Sequence, residues 1–153
     1  MNPPASASPF PSAGRSLNIL YADDMRQLRE LMALMLADEG HHVQTVSDGA
    51  EALERLTKSL TTFDLLITDH HMPLMNGLEL VRQLRLLAFP GKIIVFSSEL
   101  NQVVHDKYRQ LAVDLILPKP IFPLTLRRLL EQLFAPGGPE AGLRRSTSQS
   151  PYA

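Results

Sequence analysis

Between Leu17 and Ala135, short apolar runs alternate with segments of helical periodicity, and this alternation constrains the fold more than any other feature of the chain. Two parallel strands need a crossover connection, which is usually a helix, so repeated β-then-α units produce a parallel sheet. Such crossovers are right-handed and pack helices against the sheet. The sequence therefore predicts an α/β fold in which a doubly wound parallel sheet carries helices on both faces.

The predicted strands are short and mostly apolar, and they cover residues 17–21, 43–47, 63–68, 92–97 and 114–117. The predicted helices have apolar residues at helical spacing, and they cover residues 24–39, 48–59, 78–88, 99–110 and 124–133. The third and fourth strands are apolar at nearly every position, which is typical of strands buried on both faces. We therefore expect helices to cover both faces of the sheet at these strands.

The two ends of the chain differ in composition from the part between them. Residues 1–16 are mainly Pro, Ser and Ala, and residues 136–153 combine Pro-Gly-Gly-Pro with a Ser/Thr/Gln stretch. Such segments bury too little apolar area to offset the loss of chain entropy. We expect disordered tails over 1–16 and 136–153, and one domain over 17–135.

Composition excludes several classes of protein. With 15 Lys and Arg against 16 Asp and Glu, the formal charge is −1, which gives no general attraction to nucleic acid or to a membrane surface. The chain has no cysteine, so disulfides and Cys-ligated metal sites are excluded. It has no apolar run near the roughly 20 residues that span a bilayer, and no signal peptide. We expect a cytoplasmic protein that binds neither nucleic acid nor membranes.

Polar and charged residues follow the predicted strands: Asp23 and Asp24 the first, Asp69 the third, Ser97 the fourth and Lys119 the fifth. In open α/β sheets the ligand site lies beyond the carboxyl ends of the strands, so these side chains should meet. Three carboxylates repel one another without a cation, and an oxygen-rich cluster suits Mg²⁺. With a hydroxyl and an ammonium added, the set predicts a phosphoryl-transfer site in which one carboxylate is the nucleophile.

These residues lie in four ordered motifs: Asp23-Asp24, the run LLITDHHMPLMNG over residues 65–77, Ser97 at the end of KIIVFS, and Lys119-Pro120. In these motifs the chain resembles the response-regulator receiver domain of two-component signalling, of the stand-alone type, over residues 17–135. The resemblance implies a flavodoxin-like fold with five parallel strands in the order 2-1-3-4-5.

The resemblance also implies roles for the acidic residues. Asp69 is expected to accept the phosphoryl group. Asp24 and Asp69 are expected to bind Mg²⁺ directly, Asp23 through a metal-bound water, and His71 through its backbone carbonyl. The side chains of His71 and Glu99 border the phosphoryl group in relatives, so we expect them to tune dephosphorylation.

At the other strand ends, Ser97 is expected to hydrogen-bond a phosphoryl oxygen, and Lys119 to pair with the carboxylate or the phosphoryl group. Relatives usually have a cis peptide bond between this lysine and Pro120. Ile116 occupies the position of the aromatic residue that normally switches together with Ser97, which puts conventional switching in doubt. Ala112-Val113 replaces the usual Gly-Ala, so the preceding helix is expected to end without an easy left-handed cap.

The function implied is that of a phosphoacceptor that only assists its own phosphorylation and dephosphorylation. A phosphohistidine on a sensor histidine kinase or on a histidine phosphotransfer protein is the expected donor. Because only a short segment follows the domain, no output domain is expected, and the signal should leave by contact with a downstream protein. The usual contact surface in relatives is formed by the fourth helix, fifth strand and fifth helix, and homodimerisation stays open.

Two alternatives use the same residues. One is a docking module that keeps the receiver fold but does not respond to phosphorylation, because Ile116 uncouples the site from the surface. The other is a haloacid-dehalogenase-like phosphohydrolase, which needs a second Asp two residues after the nucleophile, where this chain has His71. The adjacent histidines His41-His42 and His70-His71 do not favour a transition-metal site, because neighbours on an extended chain point in opposite directions.

Overall fold

Strands and helices alternate along the chain, as the sequence predicts. The structure is a computed structural model that describes residues 15–98 and 100–135. The strands in these ranges are β1 (Asn18–Ala22), β2 (His42–Val46), β3 (Leu65–Asp69), β4 (Lys92–Ser97) and β5 (Leu115–Pro118). The helices are α1 (Arg26–Asp38), α2 (Gly49–Lys58), α3 (Gly77–Leu86), α4 (Gln102–Gln110) and α5 (Pro123–Leu133). Of the tails predicted over residues 1–16 and 136–153, residues 1–14 and 136–153 lie outside the described residues.

The five strands form one sheet with the order β2-β1-β3-β4-β5, and all neighbouring pairs are parallel. The step from β1 to β2 runs across the sheet in the opposite direction to the later steps. Right-handed crossovers therefore place α1 on one face and α2, α3 and α4 on the other. Because the strands are parallel, their carboxyl ends lie along one edge of the sheet, as predicted.

The core lies on both faces of the sheet. All five residues of β3 are buried, which explains its uninterrupted apolar sequence. On one face, Leu20 and Leu66 pack in a cluster with Leu56 of α2 and Leu84 of α3. On the other face, α1 packs against β1 and β2. Among residues 15–98 and 100–135, no helix has both the length and the apolar character needed to cross a membrane.

Residues 16–121, which contain the sheet and the first four helices, form one compact unit. Helix α5 belongs to a second unit. It begins with Pro123 in its first turn, where the missing N–H of proline costs nothing. Its buried residues are Leu126 and Leu130, four residues apart. The half-buried Arg127 and the exposed Glu131 add an i,i+4 ion pair.

Two helices begin later than predicted, and the cap of one helix differs from the prediction. Helix α1 begins at Arg26 rather than Asp24, because the carboxylate of Asp23 accepts the N–H of Met25 and holds the chain in a turn before the helix. Helix α4 begins at Gln102, after Asn101 caps it by accepting the N–H of Val104.

The third difference is at the end of α4, where an easy left-handed cap was not expected. Ala112 adopts a left-handed conformation there, with φ of 55°. This conformation costs a non-glycine residue roughly 1 kcal/mol. The guanidinium of Arg85 in α3 donates hydrogen bonds to the carbonyls of Leu111 and Ala112, at 2.7 and 2.9 Å. These bonds satisfy two of the carbonyls that a helix end leaves without partners.

Candidate functional site

Three carboxylates meet at the carboxyl edge of the sheet. Asp23 and Asp24 follow β1, and Asp69 ends the neighbouring strand β3. One carboxylate oxygen from each residue lies within 4.8 Å of the other two. Asp23 and Asp69 are buried, whereas Asp24 is exposed. The three carboxylates meet, as the strand-end argument predicts, and the cluster combines two desolvated carboxylates with one that faces solvent.

Lys119 joins the cluster from the end of β5. Its Nζ lies 2.7 Å from Oδ2 of Asp23 and 3.2 Å from Oδ2 of Asp69. The peptide bond from Lys119 to Pro120 is cis, as the resemblance implies. Burial alone would lower the pKa of the Lys119 ammonium, but the hydrogen bond and charge of Asp23, followed by those of Asp69, raise it above the usual value. Lys119 is therefore a fixed positive charge that bridges two of the three carboxylates.

The carboxylate of Asp23 is held by protein donors on both oxygens. Its Oδ2 accepts from the hydroxyl of Tyr21 at 2.7 Å, in addition to Lys119, and its Oδ1 accepts from the N–H of Met25 at 2.9 Å. Burial, followed by the neighbouring Asp23, raises the pKa of Tyr21, so its hydroxyl remains a donor. Arg29 donates to the backbone carbonyl of Asp23 at 2.8 Å. These contacts leave Asp23 less available as a direct metal ligand than Asp24.

Asp69 carries a charge in an environment that disfavours it. Burial raises the pKa of its carboxyl; Lys119 opposes this rise and Asp23 adds to it. Oδ1 accepts the backbone N–H of His70 at 2.7 Å, and Oδ2 faces Lys119. A carboxylate destabilised by burial and by a like charge is stabilised when a cation binds. The donor set of three carboxylate oxygens beside solvent fits Mg²⁺, which prefers oxygen ligands and keeps several waters.

The remaining predicted residues lie around this centre. Ser97 is buried at the end of β4, one residue beyond the register partner of Asp69. The side chain of His71 is exposed, in the loop directly after β3. Ile116 lies within β5 and packs against the core cluster. Glu99 lies outside the described residues. The structure thus brings Asp23, Asp24, Asp69 and Lys119 into one cluster and places Ser97 on the adjacent strand end.

Sequence reasoning missed two buried tyrosines next to the site. Tyr21 binds Asp23, and its position could have been inferred, because residues two apart on a strand point to the same face. Tyr108, in α4, forms a hydrogen bond with the imidazole of His70, the residue after Asp69. No local pattern in the sequence indicates this second contact, which joins residues 38 positions apart.

Comparison with known proteins places these features in a family. A family model described as the response regulator receiver domain matches residues 19–131. The chain is 30% identical over 125 residues to the chemotaxis protein CheY-3 of Vibrio cholerae, a match that covers 78% of this chain and 93% of that protein. It is 31% identical over 129 residues to a putative two-component response regulator, ARR21, of Arabidopsis thaliana. That match covers 83% of this chain but 21% of ARR21, and the chain spans less than half the length of several curated relatives.

A solved structure supports the same assignment of fold. The structure of the chemotaxis response regulator CheY4 of Vibrio cholerae matches with a TM-score of 0.70 at 29% identity, covering 78% of this chain and 99% of that one. The flavodoxin-like fold with five parallel strands in the order 2-1-3-4-5 and five helices is confirmed.

Proposed function

Since this chain belongs to the response regulator receiver domain family of two-component signalling, we propose that it accepts a phosphoryl group on Asp69 from a phosphohistidine. In this step the P–N bond of the donor breaks as a bond forms between phosphorus and a carboxylate oxygen of Asp69. The donor histidine leaves with the electron pair of the broken bond. The donor protein is a sensor histidine kinase or a histidine phosphotransfer protein.

One observation carries this proposal: Asp69 is a buried carboxylate whose Oδ2 lies 3.2 Å from the ammonium of Lys119, at the edge where ligands bind in open α/β sheets. Phosphoryl transfer depends mainly on positioning and on neutralising charge around the phosphoryl oxygens. Lys119 supplies a positive charge that its two carboxylate partners fix in place. Ser97, on the adjacent strand end, supplies a hydroxyl that donates to a phosphoryl oxygen.

Mg²⁺ would be held by the carboxylates of Asp24 and Asp69 and by the backbone carbonyl of His71. Asp23, whose oxygens already accept from three donors, would act through a metal-bound water. When bound, the ion supplies positive charge to the phosphoryl oxygens. The protein itself holds Asp69 in place through the N–H of His70 and orients Lys119 through Asp23. The side chains of His71 and Glu99 would then tune the rate of dephosphorylation.

The proposal also covers the domain bounds, the location of the protein and the way its signal leaves. The receiver domain covers residues 17–135, and the protein acts in the cytoplasm. It passes its signal to a downstream protein through the elements that relatives use for this contact, which are α4, β5 and α5. It acts as a phosphoacceptor, which assists its own phosphorylation and dephosphorylation.

A second candidate function is a docking module that binds its partner whether or not Asp69 is phosphorylated. The observation that favours it is Ile116, which packs against the core cluster in place of an aromatic residue. A β-branched side chain is stiff at χ1 and has no hydroxyl to exchange between solvent and interior. The two functions differ in whether phosphorylation changes the partner-binding surface.

The test of the leading function is incubation with acetyl phosphate and Mg²⁺, followed by intact-mass measurement. The wild type should gain the mass of one phosphoryl group, and Asp69→Asn should gain none. Asp48→Asn is the matched control, because it makes the same chemical change at the cap of α2, in a residue outside the three-carboxylate cluster, and should be modified like the wild type. An undiminished adduct on Asp69→Asn would overturn the assignment.

A further inference from the structure

One aromatic side chain of α4 belongs to the buried core cluster. Tyr108 is the buried residue of this helix and is 0% exposed, whereas most of its other residues are exposed. Its ring packs edge-on against the ring of His70, with the two centroids 5.5 Å apart. Because a buried hydroxyl costs free energy unless it is hydrogen-bonded, the partner of the Tyr108 hydroxyl is fixed by the fold.

That partner is the imidazole of His70. Its Nδ1 lies 2.6 Å from the Tyr108 hydroxyl oxygen, and this hydrogen bond is buried. Burial, followed by the charge of Asp69, raises the pKa of Tyr108. Tyr108 therefore keeps its proton, and the buried hydrogen bond joins its ring to the ring of His70.

His70 is also the residue that holds the proposed phosphoacceptor. Its backbone N–H donates to Oδ1 of Asp69 at 2.7 Å, and its carbonyl accepts the N–H of Gly77 at 2.9 Å. A single residue thus connects the carboxylate on one side with α4 on the other. The path from Asp69 to Tyr108 contains two hydrogen bonds and one residue.

Gly77, at the start of α3, leaves space for this arrangement. A Cβ atom at this position would lie 2.7 Å from the Tyr108 hydroxyl oxygen and in contact with the carbonyl oxygen of Asp69. Any larger residue would push the hydroxyl away from His70 or displace the end of β3. The close approach of Asp69, His70 and Tyr108 therefore requires glycine here.

Phosphorylation changes the first hydrogen bond of this path. The N–H of His70 donates to a charged carboxylate before the reaction. After the reaction it donates to the uncharged carbonyl oxygen of the acyl phosphate. Hydrogen bonds to charged acceptors are roughly twice as strong as those between neutral groups. The peptide of His70 is therefore held less firmly after the reaction, and the buried hydrogen bond transmits any movement of its ring to α4.

We propose that Tyr108 is a positioning residue that acts on Asp69 through His70, and that this contact carries the phosphorylation response to α4. This inference rests on the proposed phosphorylation of Asp69 and adds the route by which that event reaches the surface. The route differs from one through β5, where Ile116 has no polar atom with which to respond.

The test compares amide shifts on adding beryllofluoride and Mg²⁺ to the wild type and to Tyr108→Phe, which keeps the ring and removes the hydroxyl. In the wild type, shifts should occur both at residues 69–71 and across α4. In Tyr108→Phe, the shifts at 69–71 should persist while those across α4 fall by at least half. His70→Phe removes the other partner and should give the same loss, with no further loss in the double variant.

Arg85→Gln is the matched control, because it removes the hydrogen bonds from α3 to the end of α4 without touching His70. It should lower stability and leave the α4 response at its wild-type size, which separates the specific route from general loosening of the helix. Wild-type shifts across α4 in both Tyr108→Phe and His70→Phe would overturn the inference. Absence of shifts at 69–71 in the wild type would instead overturn the phosphorylation of Asp69.

Discussion

Replacing Asp69 by Asn should stabilise the metal-free protein, although Asp69 is the residue on which the proposed function depends. The carboxylate is buried beside two others, and burial, then Asp23, raises its pKa against the effect of Lys119. A raised carboxyl pKa means that folding costs more when the group is ionised. Asn has nearly the same shape, and it removes the charge.

Two charge interactions and the cost of burial set the size of the effect. At the 4.8 Å limit of the cluster and an effective dielectric constant of about 20, the buried carboxylate of Asp23 repels Asp69 by about 3.5 kcal/mol, whereas the exposed Asp24 adds little. Attraction to Lys119 at 3.2 Å returns about 5 kcal/mol. Attraction therefore exceeds this repulsion by about 1.5 kcal/mol, but burial of an ionised carboxylate costs several kcal/mol and outweighs it. In the variant, up to about 1 kcal/mol is lost because the N–H of His70 then donates to a neutral oxygen. We expect a net gain of about 1 to 2 kcal/mol.

Urea denaturation followed by circular dichroism, at pH 7.5 with a chelator, measures this gain. The midpoint should rise by roughly 0.5 to 1 M for an m-value typical of a small domain. Asp48→Asn should leave the midpoint nearly unchanged, because Asn caps a helix as well as Asp does. With Mg²⁺ present, the wild type should gain more stability than Asp69→Asn, which has lost a metal ligand. An unchanged or lower midpoint for Asp69→Asn without metal would refute the electrostatic argument.

The difference in stability between Asp69→Asn and the wild type should change with pH in one direction. Below the ordinary Asp pKa of 3.8, Asp69 is protonated in both the folded and unfolded chains, and the two proteins should be about equally stable. As the pH rises above 3.8, the unfolded chain ionises first, so the wild type loses stability relative to Asp69→Asn. The difference should stop growing once the pH exceeds the raised folded pKa.

Three further predictions follow from neighbouring contacts. Asp24→Ala should weaken Mg²⁺ binding in calorimetric titration more than Asp23→Ala does, because Asp23 is already held by three donors; equal losses would contradict this. Ala112→Gly should raise the free energy of unfolding by about 1 kcal/mol in urea, since glycine adopts a positive φ without strain. Ile116→Tyr should enlarge the amide shifts that beryllofluoride causes across residues 99–118, and shifts no larger than those of the wild type would show that Ile116 does not limit switching.

The fold was predictable because its elements are encoded locally. The apolar runs that form β3 and β4 are found within one or two residues of their predicted bounds. The helices follow from apolar spacing, and α2 begins directly after its cap Asp48, within one residue of its predicted start. The strand order, in contrast, came with the resemblance to a family. Periodicity identifies strands but does not say which strands are neighbours.

The site was predictable in part, for a geometric reason. Parallel strands bring their carboxyl ends to one edge, so residues directly after strands meet without any knowledge of side-chain packing. This argument finds Asp23, Asp69 and Lys119. It does not find the contact between Tyr108 and His70, because a helix residue reaches the site only through the detailed packing of α4 on the sheet. The residues of this helix are mostly polar, and its sequence gives no sign that the Tyr108 hydroxyl has a specific partner.

The contact between Tyr108 and His70 limits how strongly phosphorylation can control the protein. A site shifts a conformational equilibrium only by the difference in its interaction energy between the two states. If the hydrogen bond between His70 and Tyr108 is the connection to α4, that difference is limited to about 1 kcal/mol, the net value of one hydrogen bond between neutral groups. This corresponds to roughly a fivefold change in the population of the responding state. A downstream protein that binds α4 should therefore bind the unphosphorylated form measurably, with an affinity about fivefold below that for the phosphorylated form. In that case the receiver and the docking module become two limits of one mechanism, distinguished by the ratio of these affinities.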